Sequence, residues 1–112
     1  MTVEELNTKL YEKMFSEQEA FKKKLLEMSP KEVLDHAYEY LAREDLLLNQ
    51  ECNDLSEKQC HALLKLKDTL SALYERWLKT DDSRMEEIQS MTEYYADELV
   101  REEQLRIDRD AR

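Results

Sequence analysis

"SPKEVLDHAYEYLAREDLLLNQECNDLSEKQ", residues 29–59, opens and closes on the same kind of start signal. Ser29-Pro-Lys-Glu32 sets a hydroxyl cap three residues before a carboxylate, with Pro30 at the first helical position, where its missing N–H costs nothing. Ser56-Glu-Lys-Gln59 repeats the pattern. Between them Leu34, Ala37, Leu41 and Leu48 fall on one helical stripe, which predicts a helix with that stripe buried. Asn49 or Asn53 can then take the left-handed ending that glycine would normally supply. Helix follows helix here, with a short turn between.

Working outward, Thr2-Val-Glu-Glu5 is a third capping box. Val3, Leu6, Leu10, Met14, Phe21, Leu25 and Met28 recur behind it at spacings of three, four and seven, one face of a long helix. After Ser56, the residues Cys60, Leu63 and Leu64 point inward from a short helix. Asp68 can cap a fresh start, and Leu70, Tyr74, Trp77, Met85, Ile88, Met91, Tyr95 and Leu99 then hold helical phase. That phase favours one long helix, with Thr80 to Ser83 the place for a bend. The tail from Arg106 alternates charge and is expected to fray. The chain is therefore expected to be all-α, a small bundle of about four amphipathic helices near 3–28, 30–52, 57–66 and 69–106, with long first and last members. The near-heptad phase of those two would also allow pairing with a second copy.

Composition narrows the chemistry. The 112 residues contain no glycine and one proline. The missing glycine argues against hairpin-rich sheets and removes the phosphate loop, the dinucleotide turn and the nucleophile elbow. Asp81-Asp-Ser lacks the glycine a calcium loop needs at its turn. A bundle metal site needs Glu-x-x-His, but Val33 and Lys58 stand three before His36 and His61. Adjacent Cys60 and His61 lie about 100° apart on a helix and suit one zinc poorly. No metal, cofactor or catalytic residue is therefore expected, and no enzyme activity. Two cysteines are too few for a disulfide framework, no run approaches the ~18 apolar residues of a membrane span, and the N-terminus has no signal pattern. A cytoplasmic protein is expected.

Charge is where the sequence speaks to partners. Net charge is −10, so direct nucleic-acid binding would work against phosphate repulsion. Lys22-Lys-Lys24 reads as the solvated end of the first helix. Residues 81–103 carry nine carboxylates against two arginines. On a helix, Glu86, Glu93 and Asp97 share one flank, while Glu87, Glu98 and Glu102 form another beside Tyr94. Neighbours three or four apart stand about 5–6 Å apart along the axis, close to the phosphate repeat of a nucleic-acid backbone. A solvated face is the plainer reading of such a strip. The functional reading makes these seven residues a binding surface for a basic protein or nucleoprotein, with Tyr94 as an anchor. Trp77, Tyr74 and Tyr95 lie on the apolar phase and are expected in the core.

Residues 4–64 also resemble a family of short uncharacterised proteins of Gram-positive bacteria, their phages and mobile elements. Leu10-Tyr-Glu-Lys-Met14, Asp35-His-Ala-Tyr-Glu-Tyr40, Arg43-Glu-Asp45 and Asp54-Leu-Ser56 carry the resemblance. The connection Leu66-Lys-Asp-Thr69 departs from it, since proline is expected there. The family has no established catalytic residues to transfer. The resemblance implies a mobile-element setting, in which small acidic helical proteins often disarm host defence, CRISPR nucleases included. A non-enzymatic inhibitor of a type II CRISPR effector nuclease, occupying its basic nucleic-acid groove, is the function this suggests. The alternative is a helical homodimer acting as a structural or regulatory accessory of a phage or conjugative element.

Overall fold

A computed structural model describes residues 1–80 and 82–111, with the backbone alone for 82–84. The described residues form six helices and no strand: α1 (Val3–Leu26), α2 (Pro30–Asp35), α3 (Ala37–Glu51), α4 (Glu57–Leu64), α5 (Thr69–Thr80) and α6 (Asp82–Asp110). No helix among them is long and apolar enough to cross a membrane. The chain divides into two units, Met1–Trp77 and Leu78–Arg112. All-α is thus the class, with more helices than the four expected. The expected helix 30–52 is interrupted at His36, whose N–H bonds back to both Glu32 and Val33 carbonyls. There the His36 ring meets Phe21 edge-on at 6.5 Å, a tertiary contact made at the point where the helix is broken. Continuity of the expected last helix turns on Asp81, which lies outside the described residues.

The helix starts are where the capping residues put them. Ser56 makes a reciprocal box, accepting from the Gln59 N–H while the Gln59 side chain accepts from the Ser56 N–H. Thr2 and Ser29 likewise accept from the N–H groups of Glu5 and Glu32. In these two, however, the carboxylate takes the cap's own hydroxyl proton rather than its backbone N–H. Asp68 accepts from the Ser71 N–H at the start of α5. No described residue has positive φ, so neither Asn49 nor Asn53 ends α3 in a left-handed turn. The helix closes instead at Cys52, with N–H bonds to the Asn49 and Gln50 carbonyls.

In the first unit Leu10 and Met14 of α1, Leu47 of α3 and Leu70 of α5 form the buried cluster, with Leu63 and Leu64 of α4 and Leu55 packed against it. Each of the four buried side chains stabilises the fold by about 1.5–3 kcal/mol through removal from water. On α3 the buried stripe lies roughly half a turn around the helix from the one predicted from sequence. Leu41 and Leu48, and Leu34 on α2, are exposed, whereas Ala42, Arg43, Leu47 and Gln50 are buried. The reason is polar. Burying Leu47 rather than Leu48 carries Arg43 and Gln50 inward, where each finds partners on α1.

Those partners complete two networks. The buried Arg43 donates from Nε to Gln18 Oε1 at 2.9 Å, reaches Glu39 at 3.4 Å and lies 4.3 Å over the Phe21 ring. Gln18 passes its own N–H groups to the Tyr40 carbonyl and to Glu44. Near the other end, Asn7 grips the backbone of Leu55, donating to its carbonyl at 2.9 Å and accepting from its N–H at 3.1 Å. Glu17 of α1 meanwhile accepts from the N–H groups of Thr69 and Leu70, capping α5 from outside that helix. Among the described residues no buried side-chain polar atom lacks a hydrogen-bond partner.

Candidate functional site: an uncovered acidic helix

α6 begins at Asp82 and runs to Asp110, past the position where the apolar phase fades. From Met85 onward every described residue of it is exposed except Glu98, which is half-buried. Its apolar stripe is exposed: Met85, Ile88, Met91, Tyr95 and Leu99 all face water, Tyr95 at 56% and Leu99 at 47%. The expectation that Tyr95 and Trp77 are core residues is therefore corrected. Trp77 is 42% exposed and donates its indole N–H to the Tyr38 hydroxyl at 3.2 Å. Tyr74 alone of the three is partly buried, and burial first, then Glu39 and Tyr38, raise its phenol pKa.

A sign of this was present in the sequence. Thr92, Glu102 and Arg106 occupy positions on the α6 seam where a core-bound helix would carry apolar side chains.

The seven residues singled out from sequence do not share one face. With about 100° per residue, Glu86, Glu93 and Asp97 centre roughly 125° away from Glu87, Glu98 and Glu102. Tyr94, 66% exposed, stands with the second group. That second group borders the apolar stripe at Met91, and Glu102 lies on the stripe itself, one turn beyond Leu99. The first group occupies the far side, where Glu93 accepts from the Gln89 amide at 2.8 Å. None of the six carboxylates makes an ion pair with a described residue.

Other chemistry-bearing groups are dispersed. Cys60 is buried, its thiol pushed up by desolvation and directed at the Leu55 carbonyl 3.9 Å away. Its neighbour His61 is exposed, 3.8 Å from Glu57. His36 sits 3.8 Å from Glu39. Among the described residues no group of three or more His, Cys, Asp or Glu side chains could hold a metal ion. An open apolar groove of about 560 Å³ lies in the first unit between the end of α1 and α2, lined by Leu25, Leu26, Met28, Val33 and Leu34.

Neither the curated proteins nor the solved structures contain a match to the chain. The model of one family, described as protein of unknown function (DUF3848), matches residues 6–100. This reaches well beyond the half of the chain that carried the resemblance, through α5 and most of α6. The chain belongs to the DUF3848 family.

Proposed function

We propose that the protein is a non-enzymatic binding protein whose last helix engages a basic protein or nucleoprotein and competes there with nucleic acid. The observation that supports this is the state of α6: its apolar stripe is exposed beside carboxylates that make no ion pair with a described residue. Exposed apolar side chains in a continuous row are costly to hydrate, and burying them would release roughly 25 cal/mol per Å². Like charges at helical spacing repel by a few tenths of a kcal/mol per pair. A basic partner with apolar surface of its own relieves both costs at once.

In its narrower form the proposal places the protein in the cytoplasm of Gram-positive bacteria carrying phages or mobile elements. A type II CRISPR effector nuclease is then the partner to test first, inhibited by occupation of its nucleic-acid groove. The test is target-DNA binding and cleavage by the effector–guide complex with increasing amounts of the protein. Wild type should inhibit, and inhibition should weaken steeply with salt. Reversal of Glu86, Glu87, Glu93, Asp97, Glu98 and Glu102 to Lys should abolish it while circular dichroism stays helical. Reversal of Glu4 and Glu12, on a helix without net charge, should change little. A six-fold reversal that inhibits like wild type would reduce the strip to a solvated face.

The near-heptad spacing of the same stripe favours a second reading, a homodimer serving as an accessory protein of such an element. Sedimentation separates the two, since only the second needs a stable dimer.

A further inference from the structure

We infer that the surface covering α6 is an amphipathic helix of the partner, with an apolar seam and lysines or arginines along one edge. This rests on the proposed function and names the kind of partner that the site takes. Met85, Ile88, Met91, Tyr95 and Leu99 follow one another at spacings of three, three, four and four, all of them exposed. They span an arc of about 120° centred on Ile88 and run about 21 Å along the axis, the footprint of a four-turn helical seam. A groove lined only by basic side chains would satisfy the carboxylates but leave Ile88 and Leu99 facing polar walls. A helix seam covers them by side-chain interdigitation.

The two edges of the stripe differ in charge, and that difference orients the partner. One edge carries Glu87 and Glu98. The other carries Gln89, Ala96 and Val100, which have no charge, and meets its first carboxylate only at Glu103, beyond Leu99. Glu102 is the most demanding position, because it lies on the seam and any helix laid there removes it from water. A desolvated carboxylate must meet a cation. A second copy of this chain would bring like charges to that seam, which counts against self-pairing. Glu86, Glu93 and Asp97, on the far side, contribute only to long-range attraction.

The test uses the full chain and three synthetic peptides of equal length, read by fluorescence anisotropy. One has a leucine heptad seam with lysines along one edge, one has the same seam with glutamates on that edge, and one is a scramble of the first that breaks the seam. The lysine-edged peptide should bind and the other two should bind at least ~10-fold more weakly. Ile88→Asp and Leu99→Asp should each weaken the first peptide by ~10-fold or more, as should the pair Glu98→Lys and Glu102→Lys. The pair Glu4→Lys and Glu12→Lys, outside that surface, should stay within ~3-fold, the scale of screened long-range attraction. All four seam and edge positions are outside the core, so circular dichroism should be unchanged. If the scramble binds as tightly as the seam peptide and Ile88→Asp has no effect, the helical partner is wrong while the acidic-helix function stands. If no basic peptide binds, both fail. A chain that sediments as a dimer dissociated by Leu99→Asp would also overturn the inference, since a second copy would then cover the seam.

Discussion

Asn7 and Glu17 act on backbone that is not their own. Asn7 holds both polar groups of Leu55, so the α3–α4 connection is tied to α1 through one amide side chain. Asn7→Ala leaves that N–H and carbonyl without their partner and should cost about 1–3 kcal/mol in urea unfolding. Glu17→Gln keeps one acceptor for the α5 N-terminus and should cost less than Glu17→Ala, which keeps none. Neither role was legible in the sequence, because a mid-helix Asn or Glu gives no local sign of a partner about fifty residues away. The thiols are simpler. Cys52 is exposed and Cys60 buried with a raised pKa, so one thiol should react quickly with a thiol reagent and the second only on unfolding. Burial favours the protonated Cys60 and Tyr74 in the folded chain, so the unfolded chain ionises first as pH rises. Stability should therefore hold below the ordinary thiol range and decline through the thiol and phenol ranges.

At the scale of the element, α3 shows how far periodicity carries. The capping boxes announced the starts of α1, α2 and α4 correctly, since a cap is a local device read from three or four residues. The rotation of α3 was not announced, because Leu46-Leu47-Leu48 offers an apolar side chain at several angles. Only the polar partners of Arg43 and Gln50 across on α1 choose among them. Leu47→Ala should thus destabilise by about 2–5 kcal/mol, and Leu48→Ala should stay within ~0.5 kcal/mol. Equal losses at the two positions would mean that α3 is turned differently. Trp77→Ala should cost about 1–2 kcal/mol, below the ~3–5 kcal/mol of a fully buried tryptophan, because nearly half of its surface is already in water.

Across the whole molecule, apolar burial and acidic charge are segregated along the chain. Among the described residues the buried ones all fall within the first unit, and the largest excess of carboxylates falls within residues 81–103. The charge was legible from composition by segment. The uncovered state of the apolar stripe was not, since a seam reads the same whether or not a core receives it. The proposed function depends on that state more than on any other feature. Residue-resolved hydrogen exchange on the free chain, repeated at two protein concentrations, measures it most directly. Amides of residues 85–110 should exchange at least ~100-fold faster than those of Leu10, Met14 and Leu47 at both concentrations, because the apolar side chains of α6 stand exposed. Protection of α6 equal to that of α1 would contradict the claim, and protection that grows with concentration would show a second copy already seated on the helix.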